Sequence, residues 1–423
     1  MAIVDCISVI IPSMGIEQIR HEDSFGHRAT TALQEVRFSL LGVFESMDEL
    51  NGQRPIDLAR LLGIDMKLAW KASRLVRSVN PAEILNELPG RPGFKKLITA
   101  AQKAGASSES IDRLRTAYAT LNSEIVSLSG TRSLFETMIT GLGSSVDTPL
   151  AVEQRRQFFN GARAVTGSQC DSCYRLDILG PSSKEGFLDC ATIRMSIGLV
   201  KFHVTAPWRI RLPAVLDDTG TRSRPGRCEP IGSAPEGSES SSPLVSELCS
   251  GPEVNLLPIN SAQGICEYSF EDKLIGPGSK RTIAIGEVLR QAEPAVATDS
   301  HHGIHQIMRL RTPMESAVMD VLMHRDTFAS SGDPRPIIYS DLFGERSVST
   351  YRETDRMPIP LTITNIDDPA LAPAPNGMDP EAFSRVHEIA FEKTGWSLGD
   401  FRYQRIELAF PPVPSSLVYE VAL

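Results

Sequence analysis

The chain has 423 residues, 41% of them hydrophobic, and a net charge of −9; that is length enough for two or three domains. A net-negative chain is not a general polyanion binder, and no run reaches the roughly 18 uncharged apolar residues a membrane helix needs. Seven scattered cysteines do not make the dense disulfide scaffold of small secreted domains and point to free thiols in a reducing cytoplasm.

The opening run MAIVDCISVII is apolar but short. It lacks a basic flank and contains Asp5, so it is expected as a strand or leader rather than a signal peptide. Residues 28–130 read as helical. Leu33, Val36, Leu40, Leu41, Phe44 and Met47 recur at helical spacing, and Asn51-Gly52 ends the run.

Then comes PIDLARLLGIDMKLAWKASRLVR over 55–77. Ile56–Leu62 predicts a first helix with Leu58, Leu61 and Leu62 inward and a small residue, Ala59, where two helices cross. Gly63 supplies a left-handed turn, Ile64 plugs the core beneath it, and Asp65 caps a second helix. On that helix Leu68, Ala72 and Leu75 share one face. Lys67, Lys71 and Arg74 share another at i, i+4 and i+7, with Arg77 in support. The first stripe suits packing; the second suits phosphates and base edges. Arg54–Arg115 holds twelve Lys/Arg against six Asp/Glu, a net of +6, so the rest of the chain carries −15. A basic module on an acidic body fits a localised nucleic-acid contact.

In its LAxxLGI core and the spacing to the second helix, this segment resembles the helix-turn-helix of bacterial transcriptional regulators. The resemblance covers residues 55–77 only. It implies a recognition helix over Met66–Val76 entering the major groove of double-stranded DNA. Where such regulators often carry Ser, Thr or Gln, this chain has Met66, Ala69 and Trp70. No wing follows, because Asn80-Pro81 leads into a short helix over Ala82–Leu88.

The turn cluster Pro89-Gly90-Arg91-Pro92-Gly93 precedes a helix over Phe94–Ala104, with Gly105 at its end. Residues 108–128 give the cleanest periodicity in the chain. Ile111, Leu114, Tyr118, Leu121, Ile125 and Leu128 form a heptad seam. The seam predicts a homodimer; the alternative is a helix laid on its own domain.

After Gly130 the pattern mixes. A helix is expected over Val152–Val165 and strands over Tyr174–Leu179, Thr192–Phe202 and Trp208–Leu212. Residues 217–245 are rich in Ser, Gly and Pro and read as a disordered linker or loop. Strands follow over Thr282–Leu289 and Ile304–Leu310. Thr312-Pro313-Met314-Glu315 has the form of a capping box, predicting a helix to His324. Further strands are expected over Ile337–Ser340, Leu361–Ile366, Phe401–Phe410 and Leu417–Ala422, and a helix from Asp379 to Lys393 that Gly395 ends.

Catalytic signals are sparse. Cys170-x-x-Cys173 with Cys190 or His203 could make a zinc site, but such residues in apolar strands are commonly core. His301, His302, His305 and His324 with Asp326 could serve metal or acid–base chemistry, or be a solvated loop. There is no Walker A, G-x-S-x-G or complete dinucleotide fingerprint, and no cofactor is expected.

The sequence thus predicts an α+β chain: a helical helix-turn-helix and dimerisation unit (28–130), an α+β subdomain (150–216), the linker (217–245) and a C-terminal α+β domain (246–423). The expected function is a DNA-binding transcriptional regulator, contacting DNA through Lys67, Lys71, Arg74 and Arg77, whose body senses a small-molecule ligand or binds a protein partner. The alternatives are an interaction protein that uses the helical unit for assembly, or an enzyme with a site near His301–Asp326.

Overall fold

The computed structural model describes residues 25–423 apart from 48–53, 79, 142–148, 207, 212–214, 217–221, 224–227, 233–242, 261–265, 271–272, 299–302, 343–351 and 369–370. The expectations for the N-terminal run, for Asn51-Gly52, for most of the 217–245 linker and for His301 and His302 fall outside these residues. The protein is α+β and divides into two compact units, Met1–Ser144 and Ser145–Leu423.

The first unit is helical: α1 (Phe25–Glu45), α2 (Pro55–Leu62), α3 (Met66–Arg77), α4 (Pro81–Glu87), α5 (Arg91–Lys103), α6 (Ser108–Ser129) and α7 (Arg132–Gly141). Its core is one cluster fed by every helix. Leu33, Val36 and Leu40 of α1 meet Leu58 of α2, Leu75 of α3, Ile84 of α4, Leu97 of α5, Leu114 and Leu121 of α6 and Phe135 of α7.

The buried positions of the heptad seam belong to this core, as the alternative of a helix laid on its own domain requires. Ile111, Leu114, Leu121 and Ile125 are buried within the unit, α6 lies against α1, and Arg28 pairs with Glu124 across the two helices at 2.7 Å. Tyr118 stacks on Phe94 of α5, ring centroids 3.7 Å apart and planes within 11°. Among the described residues, α1 and α5 thus cover the buried stripe of α6, while Val126 of the same helix stays exposed.

The second unit starts with α8 (Pro149–Thr166) and is built on a sheet of order β13-β14-β11-β1-β2-β9-β6. Its strands are β1 (Ser168–Pro181), β2 (Phe187–Lys201), β6 (Cys228–Pro230), β9 (Arg281–Pro294), β11 (Met314–His324), β13 (Ile363–Ile366) and β14 (Phe401–Ala409). Every ladder is antiparallel except β1–β11. A smaller sheet, β10 (Gly303–Leu310), β15 (Ser415–Ala422) and β12 (Arg335–Ser340), covers one face. Helix α9 (Pro380–Thr394) covers the other through Phe383, Val386, Ile389 and Ala390. The remaining short strands are β3 (Ile210–Arg211), β8 (Cys266–Ser269) and β7 (Leu257–Asn260), which pair together, and the β4 (Val215–Leu216)–β5 (Arg222–Ser223) ladder. The large sheet joins strands from 168–201 with strands from 281–409, so the expected split into 150–216 and 246–423 is replaced by one layered unit.

The helix expected from Pro313 to His324 is instead β11. It sits between β1 and β14 with nearly every residue buried. A helix here would need a polar face for solvent, and Met314–His324 offers only Glu315, Asp320 and its terminal His324 as polar side chains of any size. Burial on both faces of a central strand accepts such a sequence. The one charge at its centre, Asp320, is neutralised by tertiary partners. It accepts from Tyr174 Oη at 2.9 Å, Tyr403 Oη at 2.6 Å, and Arg405 Nε and Nη2 at 2.7 and 2.8 Å.

Candidate nucleic-acid interface

The α2–α3 pair forms as its residues dictate. Leu58 and Leu62 anchor α2 in the core. Gly63 then turns the chain at φ 59°, ψ 36°, the left-handed region that a Cβ makes costly. Ile64 is partly buried against the same core. Asp65 caps α3, its Oδ1 accepting from Leu68 N at 2.9 Å. On α3, Leu68, Ala69, Ala72, Leu75 and Val76 face inward. Gly93 of α5 lies so close to this buried side that a Cβ there would sit 3.5 Å from Leu68 Cδ1. Helix α3 is therefore wedged from behind, and one face is left outward.

That face carries Met66, Lys67, Trp70, Arg74 and Arg77, all exposed, with Lys71 half-buried among them. Among the described residues, neither Lys67 nor Lys71 has an ion-pair partner. Arg74 does: its Nε lies 3.2 Å from Glu87 Oε1, at the end of α4. Its guanidinium also sits 4.6 Å from the centre of the Trp70 ring, a contact worth about 0.5–1 kcal/mol at an exposed site. The four basic side chains foreseen from the sequence are thus brought to one helix face, three exposed and one partly so. Glu87, which tempers the third of them, is a long-range partner with no sequence signal. Trp70 and Met66 belong to the same outward stripe, 46% and 51% exposed.

Among the described residues the other candidate sites do not assemble. Among the described residues no three His, Cys, Asp or Glu side chains converge on a common point that could hold a metal. Cys170 and Cys190 are buried in the second unit. The neighbouring Cys173 and burial push the Cys170 thiol well up, and burial with the nearby Asp177 does the same to Cys190. Both stay protonated, unlike a metal ligand or nucleophile. His305 faces Glu420 at 3.4 Å. His324 instead shares its Nδ1 with Thr327 Oγ1 at 3.2 Å and packs edge-on against Phe401.

Among the described residues no helix is long and apolar enough to cross a membrane. No family model matches the chain, and no curated protein matches it in sequence.

Proposed function

We propose that the first unit is a DNA-reading module of the helix-turn-helix kind and that the protein is a cytoplasmic transcriptional regulator. The observation that carries this reading is the outward face of α3: Lys67, Lys71, Arg74 and Arg77 on a helix held from behind by its own core and preceded by a glycine turn. Positive side chains at helical spacing can meet successive phosphates, and that contact dominates affinity for duplex DNA. Met66 and Trp70 in the same stripe supply apolar surface of the kind that meets thymine methyl groups. A homodimer reading a two-part site would join through a surface other than the buried stripe of Ile111, Leu114, Leu121 and Ile125.

The test is fluorescence anisotropy of a labelled random-sequence duplex against the full chain across a salt series. Lys67→Ala with Lys71→Ala removes one exposed and one half-buried cation and should flatten the slope of log K against log salt by about 1.8, at about 0.9 per phosphate contact, with an unchanged melting temperature. A slope equal to that of the wild type removes α3 from the interface.

A specific observation favours a second reading. Ile56, Met66 and Trp70 are all about half exposed on the α2–α3 pair, and aromatic and Met side chains are enriched where proteins dock. On that reading Trp70→Ala abolishes partner binding, whereas loss of Lys67 and Lys71 alters only its rate.

A further inference from the structure

The face of the large sheet that meets the smaller sheet is not uniformly apolar. Arg175 of β1 and Arg194 of β2 stand directly opposite each other across the antiparallel ladder, so their side chains leave the sheet on the same side. Like charges in that position repel. They edge a cavity of about 70 Å³, whose rim adds Arg209, Arg309 and Arg311, with Trp208 as a flat apolar wall. Among the described residues no acidic side chain lines it.

The acids that accompany Arg175 and Arg309 are not among the residues that line the cavity. Asp177 accepts from Arg175 Nε at 2.5 Å, and Gln306 Oε1 accepts from its Nη2 at 2.9 Å. Asp341 Oδ1 lies 3.4 Å from Arg309 Nη1, and Ser416, which also holds Arg309, donates to Asp341 Oδ2 at 2.6 Å. These partners fix guanidinium orientation without filling the cavity. Burial, and then the charge of Arg175, lower the Arg194 guanidinium to about 9, against the pull of Asp177 and Glu287. It is still charged at neutral pH, and the folded chain bears the cost of keeping it so.

We propose that this cavity binds a small oxyanion, a phosphate or carboxylate group, with the rest of any larger ligand lying along Trp208. Guanidinium forks match the paired oxygens of either group. The volume holds about two waters at ~30 Å³ each, which fits a single such group and excludes a nucleic-acid strand. The bound anion offsets the Arg175–Arg194 repulsion, so ligand binding stabilises the second unit. This site is independent of the α3 face and of any DNA reading.

The test is calorimetric titration of the full chain, in a chloride buffer near pH 7.5, with inorganic phosphate and, in a separate arm, acetate. Saturable one-to-one binding in either arm, with a raised melting temperature, is expected, and the arm that binds more tightly identifies the class. Arg194→Met should weaken it tenfold or more. Because that variant alters the interior, Arg209→Gln with Arg311→Gln at the rim serves as a second, and should weaken binding severalfold, each variant's own unliganded melting temperature being the reference for the rise on binding. Lys67→Ala with Lys71→Ala should bind the anion as the wild type does. No saturable binding in either arm overturns the proposal. Undiminished binding by both arginine variants places the anion elsewhere and overturns it too.

Discussion

The Arg74–Glu87 pair allows a test in which an interface is strengthened rather than broken. Glu87→Gln keeps the shape of the side chain and removes one charge facing the α3 stripe. Its effect on stability is the balance of two small terms. The pair is half exposed on the arginine side (49%) and lies at 3.2 Å, so its loss costs roughly 0–1 kcal/mol after solvent screening. Glu87 is also the last residue of α4, where a negative charge opposes the helix dipole. Neutralising it there returns about 0.3–1 kcal/mol. The terms nearly cancel, and the melting temperature should move by no more than a few degrees. The electrostatic effect does not cancel. With Glu87 neutral, Arg74 presents a full charge, and the stripe gains up to one phosphate contact. The slope of log K against log salt should steepen by about 0.9. Over a fourfold rise in salt each contact costs a factor of about 3.5, so the variant should lose about that much more affinity between 50 and 200 mM than the wild type. Anisotropy of a labelled duplex at four or five salt concentrations measures it. An unchanged or flatter slope in a variant of normal stability would mean that Arg74 does not face DNA, and the recognition role of α3 would fail with it.

Three other substitutions probe the frame that holds these sites. Asp320→Asn weakens the four hydrogen bonds that tie β1, β11 and β14 and leaves Arg405 buried without a counter-charge; about 3–5 kcal/mol should be lost, read as a fall in the urea midpoint of the second unit, and a change below 1 kcal/mol would refute the knot. Gly63→Ala adds a Cβ that meets no neighbouring atoms but forces it to φ +59°, so the cost, about 1–2 kcal/mol, is conformational; equal stability in a thermal melt would show that the turn has another shape. His387 is buried between Phe383 and Tyr403, with Asp320 and Arg405 as its charged neighbours. Burial holds it below its ordinary 6.5, Arg405 adds to this, and Asp320 opposes it. The unfolded chain therefore binds the proton first, and stability falls as pH drops below about 6.5, by at most about 1.4 kcal/mol per unit; His387→Phe should flatten that limb of a pH–stability curve, and an unaltered limb would assign acid sensitivity elsewhere.

Local chemistry was legible in the sequence wherever it coincided with the tertiary environment. Gly63, Asp65, Asp379 and Gly395 each end or start a helix by their own backbone preference or side-chain reach, and their positions follow from residue type. The β10 strand was legible as an apolar run, but its alternation was not, because Gln306 lies on the buried face and Ile307 on the more open one. The β11 strand was not legible, because Thr312-Pro313-Met314-Glu315 satisfies the local rule for a helix start while the decision lies with β1 and β14, more than a hundred and about ninety residues away. The arginine cavity was invisible for the same reason. Arg175 and Arg194 become neighbours only through ladder register, and Arg209, Arg309 and Arg311 come from strands and loops that no spacing rule connects.

The heptad seam shows why a periodic stripe alone does not settle assembly. Ile111 to Leu128 has the 3,4 spacing of a coiled coil, yet the same spacing serves any helix that lies along a neighbour. What decides is whether the chain provides its own partner. Here α1 is 21 residues long and α6 is 22, so each can cover the other along its whole length. Leu33, Val36 and Leu40 on α1 answer Leu114 and Leu121 on α6 with complete burial. Truncating Leu121 to Ala should therefore unfold the first unit by about 2–5 kcal/mol at every protein concentration. A dimer seam would behave differently, because its melting temperature would fall on dilution. Concentration dependence of the melt is thus the quantity that separates a helix packed on its own domain from one that waits for a second copy.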